Sequence, residues 1–92
     1  MLTIEWTNQF KRDFKREIKG KYRLVIQNNL PLIVDKLADN QELEVKYRDH
    51  TMTGNWVDCR DCHIKPDLIL IYRKYDEVLQ LIRLGTHSEL GI

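Results

Sequence analysis

Only three histidines occur in this chain, His50, His63 and His87, and all lie in its second half. Cysteine is as sparse, with Cys59 and Cys62 alone. The longest apolar run, Leu68-Ile69-Leu70-Ile71-Tyr72, falls far short of the roughly 20 residues that cross a bilayer, which excludes a membrane span and makes a membrane partner unexpected. The opening residues, Met1 to Trp6, show no basic segment followed by an apolar one, so no secretory signal is read there. A cytoplasmic protein with reduced cysteines is the expectation. No repeat, no low-complexity tract and no second carboxylate cluster suited to Mg²⁺ appears, and no cofactor is expected.

The 92 residues are read as a single domain, 1–92, with one modest core. Hydrophobic residues make up 42% and charged residues 32%, which suits a globular protein and not a disordered one. The formal net charge is only +1, but it is unevenly spread. Seven basic residues (Lys11, Arg12, Lys15, Arg16, Lys19, Lys21 and Arg23) face only Asp13 and Glu17 between positions 11 and 23. Such an excess attracts a polyanion even on a near-neutral molecule, and it also describes the solvated face of a helix.

Periodicity predicts an α+β fold: a short N-terminal strand, two helices, then an antiparallel β-meander. Leu2, Ile4 and Trp6 alternate with polar residues as a strand does. Phe10, Phe14 and Ile18 then fall at helical spacing, so a helix begins near Asn8 and either breaks at Gly20 or runs on to about Gln27. Lys11, Lys15 and Lys19, four apart, share one face of it. Asn28-Asn29-Leu30-Pro31 reads as a stop and restart, with Asn29 as cap and Pro31 in the first turn of a second helix reaching about Asp39. Gly54-Asn55 marks a turn before a strand from Trp56 to His63. Lys65-Pro66 and Tyr75-Asp76-Glu77 separate two more strands, Leu68 to Arg73 and Val78 to Leu84.

That meander brings chemistry together. His63 ends one strand, Asp67 starts the next, and His87 and Arg83 lie at the end of the strand that returns to the same edge. Strand geometry alone leaves His50 unplaced. Cys59-Arg60-Asp61-Cys62-His63 matches the attachment pattern of c-type haem. Residues three apart in a strand point to opposite faces, however, and covalent haem attachment belongs to exported proteins, so the two cysteines are read as packing residues. His50, His63, Asp67 and His87 also number enough for a zinc site, which leaves a small metal-binding protein open.

Tyr47-Arg48-Asp49-His50, Gly54-x-Trp56, the string from Arg60 to Tyr72 and Arg83-Leu84-Gly85-Thr86-His87-Ser88-Glu89-Leu90 resemble the YafQ branch of the RelE/ParE toxin superfamily. The resemblance covers nearly the whole chain and is most specific in the pair His-x-x-Pro-Asp and Arg-x-Gly-x-His. It implies a RelE-like ribonuclease fold, and the toxin of a bacterial type II toxin–antitoxin module that cuts mRNA on the ribosome. It further implies a cognate antitoxin, which carries the DNA-binding function of the complex. The implied site residues are His50, His63, Asp67 and His87, with Arg83 beside them. This branch usually carries an aromatic residue next to its C-terminus, and Leu90-Gly91-Ile92 has none.

The residue types suit metal-independent phosphodiester cleavage. A base removes the proton of the ribose 2′-OH, which attacks the adjacent phosphorus, and an acid protonates the departing 5′ oxygen. The products are a 2′,3′-cyclic phosphate and a 5′-OH. Imidazoles serve as base and acid, Asp67 orients His63 or His87, and Arg83 is expected to stabilise the phosphorane charge. Lys11, Lys15 and Lys19 are expected to contact ribosomal RNA. The alternatives are a ParE-like toxin that poisons DNA gyrase by binding, which has no use for the histidine set, and the metal-binding protein.

Overall fold

The structure, a computed structural model, describes residues Met1–Ile92. In chain order it comprises β1 (Thr3–Trp6), α1 (Asn8–Glu17), α2 (Arg23–Ala38), β2 (His50–Thr51), β3 (Arg60–Lys65), β4 (Leu68–Tyr75), β5 (Val78–Gly85) and α3 (His87–Leu90). The five strands form one sheet in the order β1-β5-β4-β3-β2. The expected meander β3-β4-β5 is its antiparallel centre. β1 adds a parallel edge on β5, with Thr3 opposite Val78 and Trp6 opposite Leu81. No helix is long and apolar enough to cross a membrane.

Helix α1 starts where Thr7 caps it, its side chain accepting a hydrogen bond from the Phe10 N–H at 3.0 Å. It stops at Glu17, and Ile18 to Gly20 form a turn, so the chain breaks at the glycine. Lys19 therefore lies beyond the helix that was expected to carry it beside Lys11 and Lys15. The expected restart at Asn29 is overturned, because α2 runs unbroken from Arg23 to Ala38 with Pro31 inside it. Proline removes one backbone bond, at roughly 3 kcal/mol in a helix interior. Ile26, Leu30, Ile33, Val34, Leu37 and Ala38 offset that loss by burying one continuous stripe.

This stripe packs with Phe10 against Leu68, Leu70, Tyr72, Leu79, Leu81 and Leu84 on one face of the sheet. The opposite face carries a smaller cluster, Ile69, Ile71 and Leu90, against which Met52, Trp56, Cys59 and Ile82 pack. Cys62 belongs to the first cluster and Cys59 packs on the second, so the two sulfurs sit on opposite sides of the sheet and a shared haem is excluded. The strand expected from Trp56 begins only at Arg60. Gly54, at φ 67°, opens a short 3₁₀ turn through Trp56 instead.

Charged groups fix the far end of β5. Asp13, buried on α1, receives Arg83 Nε at 2.7 Å, the Leu84 N–H at 3.0 Å and Arg16 Nη1 at 3.0 Å. Burial alone raises the Asp13 pKa, but these donors outweigh it and leave the carboxyl below its ordinary value. Arg16 also reaches Glu17 at 2.7 Å and Glu89 of α3 at 2.9 Å. Short α3 is thus fastened to α1, and a capping box between Thr86 and Glu89 closes its first turn.

Candidate active site

Register brings the three histidines together on the sheet face away from α2. His50 in β2 stands opposite Asp61 in β3, and His63, two residues on, projects from the same face of that strand. Gly85 stands opposite Ile69, so the chain leaves β5 beside Asp67 and begins α3 with His87. The ring centres of His50 and His63 are 6.1 Å apart, and those of His63 and His87 are 5.5 Å apart. Sequence reasoning placed His63, Asp67 and His87 at one edge and left His50 open. Its cross-strand pairing with Asp61 supplies the missing placement.

Each imidazole has a different setting. Asp67 Oδ1 accepts both the backbone N–H of His87 at 2.9 Å and its ring Nδ1–H at 2.7 Å. These bonds hold the Asp67 carboxyl below its ordinary pKa and leave Nε2 of His87 as the working nitrogen. Asp67 therefore orients His87, one of the two histidines it was expected to serve. His50 donates from Nδ1 to the Arg48 carbonyl at 2.7 Å and turns Nε2 to within 3.0 Å of Asp61 Oδ1. That approach is out of line for a hydrogen bond, and Asp61 Oδ1 has no other partner, so the contact is electrostatic. Burial pushes the Asp61 pKa up, against the charges of His50 and His63.

His63 stands between the other two. Its buried Nδ1 has no hydrogen-bond partner. Burial lowers its pKa, the charge of Asp61 opposes that, and His87, His50 and Arg48 reinforce it. A neutral imidazole at neutral pH is the outcome, as a general base requires.

Asp61 was missed as a site residue, although its i, i+2 spacing from His63 in a strand was the available clue. Asp49 was missed as well. It accepts the buried Tyr72 hydroxyl at 2.6 Å and Arg60 Nε at 3.3 Å, and so anchors the segment that carries Arg48 and His50. Arg83 is placed beside α1, where both its hydrogen bonds go to Asp13. Lys11 and Lys15 flank an apolar groove between α1 and α2, lined by Trp6, Phe14, Leu30 and Val34 among others. No group of three or more His, Cys, Asp or Glu side chains is arranged to hold a metal ion, so the zinc reading finds no geometric support.

Fold and site together define a small α+β protein equipped for proton transfer at the ends of its strands, the class to which acid–base nucleases belong. Residues 2–91 match the family described as the bacterial toxin of type II toxin–antitoxin systems, YafQ. The chain belongs to the YafQ toxin family. It is 38% identical over 88 residues to the mRNA interferase toxin YafQ of Escherichia coli K12, covering 95% of this chain and 92% of that protein. It superimposes with a TM-score of 0.82 on a chain of the E. coli DinJ–YafQ toxin–antitoxin complex, at 36% identity over 97% of this chain and 96% of the other. A metal-bound toxin from Helicobacter pylori is similar too, with a TM-score of 0.81 and 41% identity over 98% and 99% of the two chains.

Proposed function

We propose that this protein is a metal-independent endoribonuclease, the toxin of a type II toxin–antitoxin module, which cleaves ribosome-associated mRNA in the cytoplasm. The observation that carries this reading is the run of three neighbouring imidazoles, the outer two each held by a carboxylate or backbone partner and the middle one unpartnered, within a family whose E. coli member is named an mRNA interferase. His63, kept neutral, takes the proton of the 2′-OH. His87, with its Nδ1–H on Asp67, delivers a proton from Nε2 to the departing 5′ oxygen, and the carboxylate offsets the charge it carries as an acid. His50 is assigned the stabilisation of the pentacoordinate phosphorus, as an imidazolium whose Nε2–H is shared between the substrate and the Asp61 carboxyl.

Arg83 is a second candidate for that cationic duty, although its bonds to Asp13 commit it first to holding β5 on α1. Lys11, Lys15 and Lys19 are assigned to ribosome contact. An antitoxin partner holds the toxin inactive in this reading, and the E. coli relative is found in a DinJ–YafQ toxin–antitoxin complex. The apolar groove that Lys11 and Lys15 flank suits an amphipathic acidic segment of such a partner.

Inducible expression of the wild type and of His87→Ala, followed by mapping of mRNA 5′ ends, tests the reading. New 5′ ends within coding sequences and growth arrest should appear with the wild type alone. Harmless wild-type expression with an unchanged end map would refute it.

A further inference from the structure

A second feature lies beside His63 and has no part in the proton transfers. Asn29, Lys46, Tyr47, Arg48 and Lys65 line, with His63 at one margin, a cleft of about 270 Å³. Three cations meet here in a small volume. Lys46 has a distant acidic neighbour, Glu44 at 3.7 Å, and rests 5.2 Å from the centre of the Tyr47 ring. Arg48 and Lys65 form no ion pair within the chain. Cations gathered with so little counter-charge repel one another, and an anionic ligand relieves that repulsion.

Arg48 is also held in a sparsely populated conformation, φ 49° and ψ 43°. For a residue with a Cβ the left-handed region is unfavourable by about 1 kcal/mol, so its surroundings must impose it. Those surroundings are visible: the next residue, Asp49, is tied to the buried Tyr72 hydroxyl, and the Arg48 carbonyl accepts from His50. One anchored turn therefore seats His50 on one side and lines the cleft with Arg48 on the other.

We propose that this cleft is the subsite for the RNA strand on the 5′ side of the scissile bond, with Arg48 and Lys65 gripping the phosphate next upstream. The polarity follows from the chemistry. The attacking 2′-OH belongs to the nucleotide 5′ of the scissile phosphate, and it must reach the base. With His63 as base and His87 as acid, the upstream nucleotide lies on the His63 side, where the cleft opens, and the leaving strand departs past His87. The inference thus rests on the ribonuclease reading and specifies which part of the substrate lies where.

The test uses ribosome-bound mRNA carrying one uncharged methylphosphonate linkage. In the wild type, neutralising the linkage immediately 5′ of the cleavage site should lower kcat/KM by roughly tenfold, chiefly through KM, as expected for charged contacts to phosphate. Arg48→Gln with Lys65→Gln, two exposed positions, should cause a loss of roughly ten- to hundredfold, again chiefly through KM. Combined with the neutral linkage, the variant should lose less than about threefold more, because the contact is already gone. A neutral linkage on the 3′ side should cost both proteins alike. Additive losses, an unimpaired double variant, or coupling to the 3′ linkage would overturn the assignment. If the wild type cut no RNA at all, the ribonuclease reading itself would fall, and the subsite with it.

Discussion

Replacing Gly85 by alanine should unseat the short helix that carries His87. A methyl group there meets Arg16 Nη2 at 2.9 Å, Glu89 Oε1 at 3.0 Å and Glu89 Cβ at 3.4 Å. The two closest atoms end flexible side chains, so they can move, but each is already engaged. Arg16 Nη2 donates to the Leu84 carbonyl at 3.1 Å, and its Nε pairs with Glu89 at 2.9 Å. Glu89 Oε1 accepts the Thr86 N–H at 2.9 Å as half of the capping box. Overpacking of this kind costs about 1–3 kcal/mol, at the low end where side chains can swing aside. Losing the cap bond adds up to about 1 kcal/mol, and the half-exposed Arg16–Glu89 pair adds only a few tenths. About 2 kcal/mol in all should lower the midpoint of thermal unfolding by roughly 8–16 °C in a domain of this size. Cleavage measured well below that midpoint should still fall about tenfold or more, because a displacement near 1 Å of His87 suffices to spoil proton delivery. Thermal melts by circular dichroism, paired with cleavage rates, decide the matter. An unchanged midpoint with unchanged turnover would refute the claim that close packing at Gly85 seats α3.

Other consequences can be measured as directly. Burial raises the Asp61 pKa, so the fold favours its protonated form, and the stabilisation present below the unfolded value near 3.8 is lost as pH rises through the folded value. Asp61→Asn should therefore raise the unfolding midpoint at pH 7 while reducing cleavage, and a variant that loses stability at pH 7 would contradict this account. Lowering of the His63 pKa keeps the base neutral to below its ordinary value of 6.5, so the acid limb of kcat/KM should lie under that value. A rate that falls already above pH 7 on the acid side would remove His63 from the base role. Tyr72→Phe deletes the 2.6 Å bond to Asp49 and should destabilise the fold by about 1.5–3 kcal/mol, read from urea denaturation. Cys59→Ala with Cys62→Ala should leave cleavage within about threefold at a modest loss of stability, since one sulfur is in the main core and the other packs behind the sheet. Abolished cleavage in the folded double variant would reinstate a role for the thiols.

The meander was legible because its signals are local. Pro66 and Asp76 mark the turns, and the strands between them alternate or run apolar as central strands do. Once those turns are fixed, strand direction alone carries His63, Asp67 and His87 to one edge. What stayed hidden depends on pairing across the sheet. His50 gains its place from standing opposite Asp61, across a long loop whose path no periodicity records. Asp61 itself was masked by the Cys-x-x-Cys-His string around it. Arg83 reads as a free cation in one dimension, and only the packing of α1 reveals Asp13 as its partner. Pro31 shows local preference losing to burial, because a stripe of core side chains outweighed the restart that Asn29 and Pro31 suggested.

The central claim, acid–base cleavage by imidazoles without a metal, is tested most directly by the ends of the products. Purified protein, stripped of metal and held in excess EDTA, is given ribosome-bound mRNA, and the fragments are analysed by mass spectrometry. The account predicts undiminished cutting that leaves a 2′,3′-cyclic phosphate and a 5′-OH, lost in His63→Ala and His87→Ala. Because a metal-bound relative is known from Helicobacter pylori, the chelator arm is a stringent one. Cleavage that stops in EDTA and returns with a divalent ion, or fragments bearing 5′-phosphate and 3′-OH ends, would contradict it.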